Sequence, residues 1–278
     1  DYFEKELGSA TGTPEGYQMG CHGPGAVQAD LEVCVFGPEL PSDVEPVYLV
    51  GDSHAAHFTS GLQLASEVRK SRLTVITASG CPLLEGVRPD RRDNQMVEKC
   101  AAWQTKTFQY LQDAPPGVVI LGSTDSYWVD DRSVTTDRGE TTSSPDQKLA
   151  LLASGLRETI NLLNATEHRV VIVETVPVWR EEFHWRLDQC TLWETLLGCN
   201  QTVPLEEAVA SSSDTRWLTR STAENLGARV VDFTDSICPE GLCVTYSGNS
   251  WVYRDDSHLT NPFSASLSER WLEILSAH

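Results

Sequence analysis

Short apolar runs alternate with helical patterns along most of this chain, and that alternation limits the fold more than any other feature. Residues 47–50, 73–77, 118–121, 169–173 and 229–233 are four or five residues long and mostly apolar. Runs of that length suit strands covered on both faces of a sheet. Between them apolar residues recur at helical spacing. Phe58, Leu62, Ala65 and Val68 mark a helix over residues 55–70, and Trp103, Phe108 and Leu111 mark another over 97–111. Pro115-Pro116-Gly117 stops the second. Further helices are expected over 149–163, 205–226 and 264–275. Five such β-α units imply a parallel sheet, because a parallel neighbour is reached only through a long crossover. The expected fold class is α/β, a three-layer α/β/α sandwich with a five-stranded parallel sheet. Residues 1–46 are rich in Gly, Pro and acidic groups and lack periodicity. They are expected to form an irregular N-terminal arm packed on a main domain of residues 47–278.

Sites on such sheets lie at the carboxyl ends of the strands. Gly51-Asp52-Ser53-His54 directly follows the first strand, Gly80 follows the second, and Ser123 to Asp125 follow the third. Near the other end stands Asp255-Asp256-Ser257-His258. A serine hydroxyl is a poor nucleophile at neutral pH and needs a base within hydrogen-bond reach, itself held by a third group. Ser53 is the candidate nucleophile, His258 the candidate base and Asp255 the candidate orienter. Ser53 would also suit the N-cap of the helix starting at Ala55, and the two roles are compatible. His258 competes with a reading as a surface histidine. His54 and His57 are rivals by proximity, although a residue that follows a nucleophile usually points away. Asp256 is the rival of Asp255, with a turn or solvated role as its other reading.

The Gly-Asp-Ser block and the late Asp-x-x-His block, in this order, resemble those of the SGNH hydrolase superfamily. Three further stretches extend the likeness: Ser79-Gly80-Cys81-Pro82, Cys238-Pro239 with Cys243, and Tyr253-Arg254-Asp255-Asp256-Ser257-His258-Leu259. These resemble the SGNH domains fused to membrane acyltransferase-3 proteins, which are bacterial O-acyltransferases acting on cell-envelope glycans. The resemblance runs from about residue 47 to the C-terminus. It implies an SGNH/flavodoxin-like fold and an extracytoplasmic location, membrane-tethered in the full-length protein. It further implies transfer of an acetyl or other short acyl group to a glycan or glycolipid hydroxyl through an acyl-enzyme. The acyl donor would be delivered by a membrane acyltransferase domain, and neither cofactor nor metal is implied. An extracellular carbohydrate esterase differs only in using water as acceptor. A catalytically weak glycan-binding module is the alternative from another class.

In the superfamily the oxyanion is met by the serine N–H, a Gly N–H from the second block and an Asn side chain from a Gly-x-Asn-Asp block. Ser53 and Gly80 match the first two. The third block reads Gly122-Ser123-Thr124-Asp125, with Thr124 at the Asn position. A hydroxyl donates one hydrogen bond and reaches less far than an amide. Loss of one such donor costs about 2.7–4 kcal/mol of transition-state stabilisation. Thr124 substitutes for Asn, Ser123 or Tyr127 supplies the donor, or turnover is slow.

A net charge of −19, from 40 acidic against 21 basic residues, argues against nucleic-acid partners, whose phosphates require Lys and Arg. No apolar run of the sequence reaches membrane-spanning length. Eight cysteines fall into near neighbours: Cys21 and Cys34, Cys81 and Cys100, Cys190 and Cys199, Cys238 and Cys243. None has the tight spacing with nearby Cys or His that zinc favours. Disulfides in an oxidising compartment fit better, with the sequential pairing preferred because each pair brackets a loop. Closing a loop of ~15 residues stabilises by roughly 3 kcal/mol on the chain-entropy model. Tyr127, Trp128, Trp179, Trp185 and Trp251 suit either sugar stacking or the core. The stretch 179–204 is long enough for a lid or an acceptor-binding insertion.

Overall fold

The structure, a computed structural model, describes residues 10–23, 31–37, 44–90, 94–179, 187, 199, 201–248 and 250–277. Five parallel strands stand where the apolar runs place them: β3 (Val47–Gly51), β4 (Leu73–Ala78), β5 (Val118–Gly122), β6 (Arg169–Val173) and β7 (Arg229–Val231). Two short strands from the first 46 residues extend the sheet. β1 (His22–Gly23) pairs parallel to β4 and β2 (Cys34–Phe36) pairs antiparallel to it, at opposite ends of that strand. Within β3, Val47 and Leu49 join one core while Tyr48 and Val50 join the other. Val118 and Ile120 against Val119 and Leu121 repeat the division in β5. A side-chain period of two, with both faces covered, is why these strands are apolar throughout.

Helices α1 (Ser53–Ala56) and α2 (Thr59–Arg69) connect β3 to β4. Phe58, Leu62 and Ala65 pack in the core of the first face. Helix α3 (Asn94–Asp113) then carries the chain back from β4, past β3, to β5. Its Trp103, Phe108 and Leu111 belong to the core of the opposite face. Helices α4 (Pro145–Ala165) and α5 (Ser213–Asn225) cover that second face, where Leu152, Leu156 and Ile160 of α4 and Ala223 of α5 are buried. The C-terminal helices α6 (Asn261–Ser266) and α7 (Ser268–Ser276) close the first face, with Trp271 fully buried beside Phe58 and Phe233. Burying each such large apolar side chain contributes roughly 1.5–3 kcal/mol. Because the winding reverses at β3, a crevice opens at that strand's carboxyl end.

β3 and β5 both end in glycine, and the two are register partners. Gly51 has a φ of +145°, and a Cβ there would lie 1.8 Å from the Gly122 carbonyl oxygen. Only glycine lets the chain leave β3 this close to its neighbour.

Three helices expected to be continuous are interrupted. Residues 55–70 divide at His57 and Phe58, 205–226 contains a 3₁₀ turn at Ala210–Ser212, and the last helix divides at Leu267. At each break a hydroxyl bonds a carbonyl three residues earlier. Thr59 donates to Ala56 at 2.7 Å, Thr215 to Ser212 at 2.8 Å, and Ser266 to Phe263 at 2.7 Å. Such local bonds compete with the helical ladder.

Cys21–Cys34, Cys81–Cys100 and Cys238–Cys243 are disulfides. Cys199 is also disulfide-bonded, while Cys190 lies outside the described residues, as does most of the stretch 179–204. Three bonded pairs fit an extracytoplasmic location. Among the described residues no helix is long and apolar enough to cross a membrane.

Candidate active site

After Gly51 the chain turns at once into α1, with Asp52 as its N-cap. Oδ1 of Asp52 accepts the His54 N–H at 2.8 Å, pairing one donor the helix leaves open. Oδ2 accepts the Thr124 N–H at 3.0 Å and the Tyr127 hydroxyl at 2.7 Å. Asp52 is fully buried, which by itself favours the neutral acid. Hydrogen bonding and charge from His54, with the bonds from Thr124 and Tyr127, outweigh burial and hold the carboxyl below its ordinary range. The cap is therefore Asp52. Ser53 is the first residue of the helix and begins it two positions earlier than expected.

Ser53 Oγ lies 2.9 Å from Nε2 of His258. Nδ1 of His258 lies 2.8 and 3.0 Å from the two oxygens of Asp255. A carboxylate only accepts, so Nδ1 carries the proton and Nε2 presents its lone pair to the serine hydroxyl. The loop holding this pair is closed by the Arg254 N–H donating to the His258 carbonyl at 2.9 Å and by the Tyr253–Leu259 bridge. Asp255 Oδ1 also accepts the backbone N–H groups of Ser257 and His258, at 3.1 and 2.8 Å. Asp256 is exposed and accepts the Ser257 hydroxyl at 3.0 Å. Between the two aspartates, only Asp255 touches the imidazole.

Burial opposes charge on Asp255, but the hydrogen bond and charge of His258, the Ser257 N–H and Arg254 pull its carboxyl far below the ordinary range. His258 lies below 6.5 because burial and the nearby His54 oppose its protonation more than Asp255 favours it. The imidazole is thus neutral at physiological pH.

His54 does not point away. Its Nδ1 is 3.5 Å from Ser53 Oγ and 3.7 Å from Asp52 Oδ1, and its ring centroid is 4.3 Å from that of His258. Its Nε2 is buried without a partner among the described residues. His57 is buried as well, with Nδ1 accepting the Leu259 N–H at 3.4 Å. Burial, then the charges of His54 and His258, drive its pKa well below the usual imidazole range.

Gly80 sits in the turn after β4 with a φ of +63°. Thr124 is buried, and its Oγ1 donates to Ser126 Oγ and accepts the Ser126 N–H, both at 3.2 Å. The hydroxyl is engaged inside its own turn. The Tyr127 hydroxyl is taken by Asp52, and the Ser123 carbonyl accepts from Thr175 at 2.7 Å. Asp125 joins the lining of a cavity of about 50 Å³ with Trp128, Leu156, Glu174 and Arg216; neither Ser53 nor His258 is in that lining. Burial, only partly offset by Arg216, Thr175 and Thr215, raises the Asp125 carboxyl to about 6. Tyr127, Trp128, Trp179 and Trp251 are all buried, which makes them core rather than a stacking platform. Trp185 lies outside the described residues.

Two groups escaped sequence reasoning. Asp52 stands in the sequence as part of a serine motif, although an Asp at the head of a short helix also signals a cap. His22 and Tyr17 lie in a segment without periodicity, and the one cue was the adjoining Cys21.

An open α/β sheet with a serine at its switch point and a histidine–aspartate loop above it defines an SGNH-type domain. The periplasmic domain of a lipopolysaccharide acetyltransferase from Salmonella ser. Paratyphi A shares this fold, with 18% identity, 97% of each chain covered and a TM-score of 0.59. A carbohydrate esterase family 2 enzyme with its carbohydrate-binding domain, from Corynascus thermopiles (Myceliophthora fergusii), is more distant. There the identity is 14%, with 86% of this chain and 68% of that one covered and a TM-score of 0.46. No curated protein sequence matches. The chain belongs to the family of SGNH domains fused to AT3 domains, whose pattern matches residues 20–273. Membership supports acyl transfer or ester hydrolysis as the activity.

Proposed function

We propose that this domain is a serine-dependent O-acyltransferase that moves an acetyl or short acyl group onto a hydroxyl of a cell-envelope glycan or glycolipid. The observation that carries this reading is the unbroken chain from Ser53 Oγ through His258 to Asp255, at 2.9 and 2.8 Å. In the first step His258 Nε2 removes the Ser53 proton as Oγ attacks the acyl carbonyl. Asp255 holds the imidazole in the required tautomer and stabilises the imidazolium. The tetrahedral oxyanion collapses, the proton on His258 passes to the leaving group, and acyl-Ser53 remains. In the second step His258 deprotonates the acceptor hydroxyl, which attacks the acyl carbon; as the bond to Ser53 Oγ breaks, His258 returns that proton to Oγ and the acylated acceptor leaves. The free N–H of Ser53 at the start of α1 and the N–H of Gly80 are the proposed oxyanion donors. Thr124 would add a third only by leaving Ser126. Fusion to AT3 domains in this family supports a membrane partner as the source of acyl groups and a tether for the domain. The partition between transfer and hydrolysis rests with the acceptor.

The test incubates the protein with an aryl acetate and locates the adduct by mass spectrometry. A 42-Da addition on the peptide carrying Ser53, absent in Ser53→Ala, is the expected result (the mass of an acetyl group replacing a proton, about 42 Da). Turnover without any acyl-Ser53, or full turnover by Ser53→Ala, would overturn the reading. Adding an oligosaccharide acceptor should then divert acyl groups from water to sugar; hydrolysis alone would favour the esterase.

A further inference from the structure

We propose that Tyr17 and His22, on either side of the disulfide-bonded Cys21, are positioning residues that hold the two catalytic loops in register with each other. This rests on the serine mechanism proposed above. His22 Nδ1 lies 2.8 Å from Thr77 Oγ1 and its Nε2 2.9 Å from Ser79 Oγ, so the ring clasps the end of β4 and the residue before Gly80. Its backbone adds to the same end of the sheet, pairing at Thr77. The His22 ring stacks on Tyr17 with centroids 3.8 Å apart and 24° between planes. On that tyrosine ring sits the guanidinium of Arg254, 5.8 Å from the centroid. Arg254 in turn points Nε at Asp255 Oδ2, 3.4 Å away. One stack thus runs from the loop of Gly80 to the loop of Asp255 and His258.

The chemistry of each contact fits a fixed support. His22 is buried, and burial, opposed only by Asp52, lowers it to about 4. It is neutral at pH 7, with one ring nitrogen donating and the other accepting. Tyr17 is raised to about 12 by burial, with Arg254 acting against the rise, so its ring meets the guanidinium as a neutral phenol. The disulfide fixes Cys21, next to His22, to β2, which is itself a strand of the main sheet. Neither residue reaches the reacting atoms, and both act through Ser79 and Arg254. An error of about 1 Å between oxyanion donor and base is enough to cost on the order of 100-fold in rate.

The experiment measures kcat and KM for 4-nitrophenyl acetate, together with Tm, on the whole chain. His22→Ala and Ser79→Ala should each lower kcat about 10–100-fold with KM changed little, since the same link is cut from either side. Their double variant should be no slower than the worse single one, because partners in one contact are not additive. Tyr17→Leu should also lower kcat, while Tyr17→Phe, which keeps the ring under the guanidinium, should keep at least about half the rate. Met19→Ala, an exposed side chain in the same segment, serves as the unchanged control. Normal kcat in His22→Ala, well below its Tm, would overturn the proposal; if that variant does not fold, normal kcat in Ser79→Ala does so instead. Additive losses in the double variant would overturn it too. Ser53→Ala is run alongside: activity surviving there sinks the serine mechanism, whereas its loss beside normal Tyr17→Leu and Ser79→Ala sinks this inference alone.

Discussion

The tripeptide Asp-Ser-His occurs twice, as Asp52-Ser53-His54 after β3 and as Asp256-Ser257-His258 in the late loop, and the two copies use different members. In the first, Asp52 is buried and bonds Tyr127 and the backbone N–H groups of His54 and Thr124, Ser53 meets His258, and the His54 ring stands 3.7 Å from Asp52 Oδ1. In the second, Asp256 is exposed, Ser257 donates to it, and His258 takes both the serine and Asp255. Identical residues have acquired opposite roles. What separates them is backbone setting: the head of a helix leaves a serine forward, while a loop folded over a preceding aspartate turns its histidine inward.

The largest effect expected from breaking this contrast concerns the serines. Ser53→Ala should lower aryl acetate turnover by roughly 10⁴–10⁶-fold. Ser257→Ala should stay within about threefold, since it loses an exposed bond to Asp256 and a 3.5 Å contact with His258 Nδ1, which Asp255 already engages at 2.8 Å. Steady-state kinetics on both variants checks the pair, and a comparable loss in the two would show that the copies are not distinct. Next come the aspartates. Asp255→Asn should cost about 10²–10⁴-fold in kcat by favouring the wrong imidazole tautomer, against about twofold for Asp256→Asn. Equal losses would remove the assignment of Asp255.

The histidines sharpen the comparison through pH. In the proposed mechanism the base is neutral His258, whose pKa burial holds below the ordinary 6.5, so kcat/KM should rise along an acid limb centred below 6.5. Charge on His54 opposes protonation of His258. Removing it in His54→Gln should therefore raise that pKa and move the limb to higher pH, and a limb that stays or moves down would contradict the electrostatics. The smallest effect belongs to Thr124. With its hydroxyl engaged by Ser126, Thr124→Val should lower kcat less than about tenfold, whereas a lost oxyanion donor costs about 10²–10³-fold. A loss in the larger range, with Tm unchanged, would mean that the hydroxyl turns to the substrate during the reaction.

Legibility in the sequence followed the length scale of each feature. The five parallel strands were readable because burial on both faces makes every residue of 118–121 or 170–173 apolar. Local spacing only favoured the pairing of Cys81 with Cys100 and of Cys238 with Cys243 among many possible pairings, and the structure has both bonds. Strands of two or three residues were not: Val87–Pro89 pairs with Val134–Thr136 nearly fifty residues later, and three residues carry no period. The helix breaks depend on where hydroxyls turn, as at Thr59, which spacing does not encode. At the site, Ser53, His258 and Asp255 were nameable and the structure places them in contact. Gly80 was nameable too. The engagement of Thr124 by Ser126 and the stack of Tyr17 on His22 arise from tertiary placement, so no local pattern announces them.

Asp52 joins two loops through one carboxylate, and this removes a degree of freedom from the molecule. The turn bearing Ser53 and the loop at Thr124 share a single anchor, so thermal motion of one drags the other. Drift that moved Ser53 would also shift the Thr124 loop and leave the buried Asp52 carboxylate short of donors. Leaving one buried donor unpaired costs about 1–3 kcal/mol, and three donors converge here. Changes in substrate range should therefore accumulate in the walls around this anchor, in the loops near Ser79 and Arg254, while the anchor itself stays still.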